Sequence, residues 1–285
     1  MILNLIHNKL PNIGKNKDFS RFIILTYPRT GSNYLIFKLQ FTNKVICYNE
    51  LFYSKNKIVT SYPDLIFKSW VLKYRNHFTN SFLNEIFQSY DDKIKAVGFK
   101  LTYSQNEIFN NKNLIKTLAE KFKVSFIHLK RRNLLECYVS TKLMEKNNIV
   151  YAINPKYLND FKKNTNHFIL SSEYYSPLIT IDITDLNKYI NKIKNDEARY
   201  NLIINSFPNI DVFYEDLIAH TDFEINRIGQ LLRIPSLAVD NKEEFPIEKL
   251  NNKPLREIIS NYNEVKDFLY KNNLEGYLNK NSEND

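Results

Sequence analysis

Short β-branched and aromatic runs alternate along this chain with longer stretches of helical period. The clearest strands are RFIILTY (21–27), IKAVGFK (94–100), KVSFIHL (123–129) and NIDVFYE (209–215). The helical stretches fall at about 33–42, 111–122, 134–147, 185–206 and 222–233. Strands that alternate with helices in this way form parallel sheets from βαβ units. The sequence therefore predicts an α/β fold in which helices flank a central parallel sheet.

The organisation along the chain favours one domain over residues 1–285, because this length buries one core of ordinary size. Residues 1–20 form an N-terminal lead-in, and 245–285 form a tail with one amphipathic helix, PLREIISNYNEVKDFLY. The irregular region 52–92 is rich in Asn, Ser, Tyr and Lys. It could shape a substrate site or lid, or it could be a plain structural excursion.

The boundaries of one predicted helix carry recognisable signals. For the stretch 222–233, Thr221 and Asp222 are suitable N-caps, and Pro235 follows its end. The sequence predicts that one of these two polar residues is the N-cap of the helix.

Composition limits the partners and the compartment. The net charge of +9 favours anionic partners, which could be nucleic acid, an acidic membrane surface, or small phosphorylated or sulfated ligands. Cys47 and Cys137 lack CxxC spacing, so neither a disulfide framework nor a zinc site is indicated. Neither a signal peptide nor a membrane span is indicated. We expect a cytoplasmic protein that is soluble or at most peripheral to a membrane.

The segment LTYPRTGSNY (25–34) contains one of only 5 glycines in the chain. A strand leads through Arg29, Thr30, Gly31, Ser32 and Asn33 into a helix, which would aim backbone N–H groups at the carboxyl edge of the sheet. Glycine permits close approach to a ligand, the hydroxyls are donors, and the guanidinium suits oxyanions. The sequence predicts an anion cradle here. The alternative is a simple strand-to-helix turn with Arg29 in solvent.

A second basic segment, KVSFIHLKRRNLLECYVS, follows another predicted strand. Arg132 and Ser140 are eight positions apart, which on a helix corresponds to a turn of roughly 80°. Both side chains could therefore reach one ligand group. The alternative is a solvated basic turn, but ligands of open α/β sheets bind at the carboxyl ends of the strands, where both segments are predicted to lie.

Taken together, YPRTGSNYL and HLKRRNLLECYVS resemble the two cofactor signatures of sulfotransferases that use 3′-phosphoadenosine 5′-phosphosulfate (PAPS). The similarity extends in patches from about 21 to 270, through ELFYS, GFKLTYSQ, FYEDL and PLREIISNYNEV. It looks most like the bacterial branch with nodulation protein H and the trehalose sulfotransferases. The chain departs from the cytosolic steroid and phenol enzymes, which carry Lys where Arg29 stands and have a catalytic His context that is absent here.

The resemblance implies a three-layer P-loop-like fold and a set of site residues. The first segment, including Tyr34, would hold the 5′-phosphosulfate, and Arg132 with Ser140 would hold the 3′-phosphate. Tyr214 in FYEDL would lie near the adenine. The product would be 3′,5′-ADP, and no metal is required. The acceptor would be a hydroxyl of a carbohydrate or glycolipid. Relatives in the trehalose branch form dimers, so a homodimer is compatible.

For the general base we favour Glu50, which lies where the nodulation-H branch has its carboxylate. The alternative is that Glu50 pairs with a surface lysine. Lys100 ends a predicted strand at the same edge and could reach the cofactor or acceptor, or could be solvated. His128 is a rival base, although its place within a strand is more typical of a core residue.

Two other functions are compatible with parts of the sequence. A nucleotide-dependent phosphoryl transferase of related fold is disfavoured, because the GxxxxGK[ST] pattern is missing. A non-catalytic nucleic-acid-binding protein would suit the charge, but the lysines are spread along the chain with Asp and Glu interspersed.

Overall fold

A computed structural model describes residues 12–59, 69–109, 114–147, 149, 151–153, 168–170, 178–237, 247–248 and 253–278. The chain divides into two compact units. The first comprises Met1–Lys130 and Asn201–Asp240, and the second comprises Arg131–Tyr200 and Asn241–Asp285.

The strands are β1 (Ser20–Thr26), β2 (Val45–Cys47), β3 (Glu50–Ser54), β4 (Lys57–Val59), β5 (Ala96–Thr102), β6 (Ser125–Lys130), β7 (Tyr151–Ile153), β8 (Phe168–Leu170), β9 (Asn209–Phe213) and β10 (Ile247–Glu248). The helices are α1 (Ser32–Gln40), α2 (Ser69–His77), α3 (Thr79–Ile86), α4 (Tyr103–Ile108), α5 (Leu114–Glu120), α6 (Leu134–Asn147), α7 (Ile183–Ile204), α8 (Tyr214–Ala219), α9 (Thr221–Leu231), α10 (Leu255–Ile258) and α11 (Tyr262–Lys271). A 3₁₀ turn covers Glu275–Tyr277.

The first unit contains a five-stranded sheet in the order β2-β5-β1-β6-β9, and every pairing in it is parallel. The four strands predicted from the sequence are β1, β5, β6 and β9. Because Thr26 pairs with Thr102 and Leu25 pairs with His128, the segments that follow β1, β5 and β6 leave the sheet at one edge. This edge carries the candidate site.

Helices cover both faces of this sheet. On one face, α1, α8 and α9 bury their apolar side chains against the strands, in a cluster that includes Leu35, Leu39, Leu217, Ile225, Ile228, Phe22, Ile24 and Ile127. On the other face, Phe87 follows α3, and its ring centroid lies 6.3 Å from that of Phe99 in β5. Each such side chain stabilises the fold by roughly 1.5–3 kcal/mol on burial. The predicted central parallel sheet flanked by helices is confirmed.

The region 52–92 contains most of the β3–β4 hairpin, α2 and α3, and residues 60–68 lie outside the described part. Arg75 of α2 is fully buried, and its guanidinium donates to the carbonyls of Leu51 (2.6 Å) and Ser54 (2.5 Å). Burial lowers the pKa of Arg75 to about 10. A buried cation thus attaches the hairpin to α2. Its hydrogen bonds to the hairpin carbonyls offset the free-energy cost of removing the guanidinium from water. A role in shaping a substrate site stays a prediction.

Two details of the predicted helices are wrong. The N-cap of α9 is His220, not Thr221 or Asp222, because the Thr221 hydroxyl donates back to the Leu217 carbonyl of α8 at 2.8 Å. The tail helix is two helices, α10 and α11. Between them Ile259 is extended and forms a bridge with Ile179, which interrupts the helical hydrogen bonds.

The second unit contains a three-stranded sheet in the order β10-β7-β8, together with α6, most of α7, α10 and α11. Asp185 of α7 joins this helix to α6, since it accepts from the Tyr138 hydroxyl at 2.8 Å and lies 2.9 Å from the Lys142 ammonium. The prediction of a single domain over 1–285 stays a prediction. Within the described residues, no helix has both the length and the apolar character of a membrane span.

Candidate active site

The loop between β1 and α1 has an unusual backbone. Arg29 and Gly31 both have positive φ, at 67° and 79°, on either side of Thr30. The buried Thr30 hydroxyl lies 2.6 Å from the Thr26 hydroxyl and donates to the Tyr27 carbonyl at 3.1 Å. A backbone that alternates between left- and right-handed conformations turns successive N–H groups toward one concavity, the geometry that binds anions. The Thr30 side chain is used to hold this loop.

Gly31 is the N-cap of α1 and lies against the ring of Tyr214. A Cβ built at Gly31 would lie 2.2 Å from Cδ2 of Tyr214, which is shorter than any tolerated contact. Both the positive φ and the ring therefore require glycine at this position. The structure brings Tyr214 to the loop; its predicted proximity to an adenine stays a prediction.

The N-terminus of α1 is available to an acceptor from outside the helix. Its N-cap residue, Gly31, makes no side-chain cap, and its first turn from Ser32 contains no acidic residue. The first N–H groups of a helix, together with its dipole, favour an anion. The loop and the helix start thus present donors to the same edge of the sheet.

Lys100 brings a positive charge to this edge from the neighbouring strand β5. Its ammonium lies 3.4 Å from Ser32 Oγ and 3.3 Å from Asn33 Oδ1, both in the first turn of α1. The residue is only 6% exposed. A buried ammonium next to a helix N-terminus raises the positive potential there, because little water screens it. The predicted neighbours Ser32, Asn33 and Lys100 are brought together.

Glu50 is the counter-ion of Lys100, with 2.7 Å between Oε1 and Nζ. The backbone arranges this pairing, because the Lys100 N–H donates to the Asn49 carbonyl at 2.7 Å just before β3 begins. The side chain of Gln105 in α4 donates its amide to Oε2 of the same carboxylate. Glu50 therefore pairs with a lysine, but with a buried one at the predicted site.

Tyr34 is placed differently from the other loop residues. Its hydroxyl lies 3.1 Å from the Thr221 hydroxyl of α9, and Lys38 lies 5.5 Å from its ring centroid. The side chain thus connects α1 to α9. Its predicted contact with a phosphosulfate stays a prediction.

The basic run at the end of β6 consists of Lys130, Arg131 and Arg132, and these residues make different contacts. Lys130 pairs with Asp211 at 2.8 Å, and Arg131 pairs with Glu136 in the first turn of α6. Arg132 is exposed, and Ser140 is half-buried on α6 in the second unit. Lys130 and Arg131 are thus each paired with a carboxylate of the protein. The predicted role of Arg132 and Ser140 stays a prediction.

No family model matches this chain, and no curated protein is significantly similar to it. Among solved structures, mouse sulfotransferase SULT7A1 complexed with PAP is similar over 95% of this chain and 88% of its own chain. The sequence identity is 11% and the TM-score is 0.36. Similarity at that level carries no conclusion about the function of this chain.

His128 is fully buried in β6, which does not suit a base that must reach an acceptor. Its Nε2 lies 2.5 Å from the Tyr103 hydroxyl, and its Nδ1 lies 3.5 Å from Asp211 Oδ1. Burial lowers the pKa of His128. His128, and after it the ammonium of Lys130, lower the pKa of Asp211 to about 2. This cluster stabilises the contact between β6 and β9.

The pH dependence of stability follows from these shifts. Both folded-state pKa values are lowered, so both residues stabilise the fold at neutral pH and lose that contribution as the pH falls. The loss begins near pH 6.5 for His128 and near pH 4 for Asp211.

We expect Asp211→Asn to lower the free energy of unfolding at pH 7 by about 1 kcal/mol, since the half-exposed carboxylate is screened by solvent. Urea unfolding at pH 7, 5 and 3 measures this. An acid dependence that persists unchanged in both His128→Gln and Asp211→Asn would contradict it.

Sequence reasoning missed two residues: Gln105, which contacts Glu50, and Asp211, which contacts His128 and Lys130. A signal for the first exists, because Thr102 and Gln105 are spaced as the T-x-x-Q of a capping box, and the structure has that box. Asp211 lies in a strand without a local signal. Within the described residues, no cluster of His, Cys, Asp or Glu could hold a metal ion.

Proposed function

We propose that this protein is a PAPS-dependent sulfotransferase that transfers a sulfuryl group to a hydroxyl of a carbohydrate or glycolipid. The observation that carries the proposal is the position of Lys100. It lies between the start of α1, where an anion would bind, and the carboxylate of Glu50. One edge of the sheet thus combines an anion cradle, a buried cation and a base.

The cradle fits the 5′ end of PAPS. The N–H groups of residues 30–33 and the guanidinium of Arg29 would bind the phosphosulfate oxygens, which need several donors at one point. Arg132 and Ser140 would bind the 3′-phosphate, in line with the exposure of Arg132. Tyr214 would supply an aromatic surface for the adenine. PAPS supplies an activated sulfuryl group when bound.

Glu50 would accept the proton of the acceptor hydroxyl, and Lys100 would stabilise the negative charge that develops on the leaving group. The acceptor oxygen bonds to sulfur while the bond between sulfur and the 5′-phosphate oxygen breaks. Glu50 takes the acceptor proton, and Lys100 with Arg29 stabilises the negative charge on the departing 3′,5′-ADP. An oriented donor of this kind contributes about 3 kcal/mol to stabilising the transition state. Positioning by the rigid loop supplies the in-line geometry.

The carbohydrate part of the proposal is supported by the strand that Glu50 begins. Tyr53 of β3 is 43% exposed, and Lys57 of β4 lies 5.5 Å from its ring centroid. An exposed ring offers an apolar face and a polar edge, which suits a sugar.

We propose that the reaction takes place in the cytoplasm, without a metal.

Replacement of Arg29 tests the function directly. Arg29→Ala is expected to lower sulfate transfer from labelled PAPS by about 100-fold, because one oriented donor to the phosphosulfate is lost. The measurement is the rate of label transfer to a panel of saccharides and glycolipids. Arg233→Ala is a matched control, since Arg233 is an exposed arginine that also has positive φ, at 56°. Equal losses in both variants, or 3′,5′-ADP binding by the wild type without any transfer, would contradict the assignment.

A further inference from the structure

Gln105 occupies a special place beside the proposed base. It lies in the first turn of α4 and is only 3% exposed. Its side-chain amide has two ends with different chemistry, a carbonyl that accepts and an NH₂ that donates. Which end faces Glu50 decides whether the contact holds the carboxylate or repels it.

The capping box of α4 fixes the orientation of this amide. The side-chain carbonyl oxygen of Gln105 accepts the backbone N–H of Thr102 at 3.0 Å, and the backbone N–H of Gln105 donates to the Thr102 hydroxyl at 3.4 Å. Because the carbonyl end is held by the backbone, the NH₂ end is directed at Glu50 Oε2. Thr102, the last residue of β5, thus directs the NH₂ group of Gln105 toward Glu50 in β3.

We infer that Gln105 is a positioning residue, which holds the Glu50 carboxylate toward the acceptor while Lys100 is shared with the anion. This inference rests on the proposed function. Lys100 has contacts on both sides, to Glu50 and to the first turn of α1. An incoming phosphosulfate competes for that ammonium. Gln105 donates to Oε2, whereas Lys100 contacts Oε1, so the hydrogen bond from Gln105 keeps the carboxylate in place during that exchange.

Gln105→Glu is the sharpest variant. Glutamate is a standard partner in a capping box, so one oxygen can still accept the Thr102 N–H. The other oxygen then faces Glu50, and two carboxylates in contact share a proton. We expect kcat to fall at least about tenfold at pH 7, and its acid limb to move to higher pH. The dissociation constant for 3′,5′-ADP is expected to change less than about twofold, because the anion cradle is untouched.

A second readout does not depend on activity. The facing carboxylates bind a proton more readily in the folded than in the unfolded chain, so stability should fall as the pH rises. From pH 5.5 to pH 8, the melting temperature of Gln105→Glu is expected to fall by at least about 3 °C relative to the wild type. Gln230→Glu, at an exposed position on α9, adds the same charge and is expected to show no such difference.

The outcomes separate the inference from the function. Wild-type melting behaviour in Gln105→Glu overturns the inference whether or not any transfer is seen. A wild type that transfers no sulfate, combined with the expected melting behaviour, overturns the proposed function and leaves the Gln105 contact established. Gln105→Met, which keeps the length of the side chain without a donor, is expected to lower kcat while leaving KM for PAPS nearly unchanged. A loss confined to KM contradicts positioning.

Discussion

Lys100→Met is expected to lower sulfate transfer by at least about 100-fold and to lower the free energy of unfolding by about 3 kcal/mol. Transfer falls because the ammonium contacts both the start of α1 and the base. Stability falls because the Glu50 carboxylate, whose side chain is only 16% exposed, loses its counter-ion. Chemical denaturation and the transfer assay measure the two effects.

The double variant Lys100→Met/Glu50→Gln separates the two effects. Removal of both charges leaves no unpaired ion, so most of the stability is expected to return, whereas the transfer rate stays low. Lys116→Met is the surface control. Its pair with Glu120 spans 3.8 Å at 63% and 55% side-chain exposure, so its contribution should be only a few tenths of a kcal/mol. A double variant that transfers at the wild-type rate would contradict the proposed roles.

Gly31→Ala is expected to weaken 3′,5′-ADP binding by at least about tenfold and to lower the free energy of unfolding by roughly 1–3 kcal/mol. The new methyl group would meet the Tyr214 ring, and alanine is strained at a φ of 79°. Either the ring or the loop has to move, and both belong to the proposed cofactor site. Calorimetric titration and thermal unfolding measure the two changes.

Two further variants identify the cause. Tyr214→Ala in the Gly31→Ala background removes the collision, so part of the lost stability should return while the backbone strain remains. Gly276→Ala is a neutral control, because a Cβ there would meet nothing within 4 Å. If Gly31→Ala binds 3′,5′-ADP as well as the wild type, the loop is not the anion cradle.

The sheet could be predicted from the sequence because its strands are buried apolar runs. RFIILTY and IKAVGFK correspond to β1 and β5, each within one or two residues at the start of the strand. The loop between β1 and α1 was also recognisable as a strand-to-helix connection, since Gly31 stands between a strand and a helix in a chain with few glycines. Strands and turns of this kind are predictable because they are determined mainly by residues that are adjacent in the sequence.

The contacts that join distant segments could not be predicted. The sequence indicates Glu50 and Lys100 separately, but their pairing depends on the Asn49 carbonyl, which accepts the Lys100 N–H of β5. The β3–β4 hairpin was missed because its stability comes from Arg75, a buried cation from another element. The break between α10 and α11 arises from a bridge to Ile179. Each of these depends on the tertiary fold.

The central claim is that this protein binds both ends of a doubly phosphorylated adenosine. Calorimetric titration with 3′,5′-ADP and with 5′-AMP, in the absence of magnesium, tests it most directly. We expect 3′,5′-ADP to bind at least about tenfold more tightly, a difference of about 1.4 kcal/mol that Arg132→Ala abolishes. Equal affinities for the two nucleotides, or binding only of ATP with magnesium, would contradict the claim.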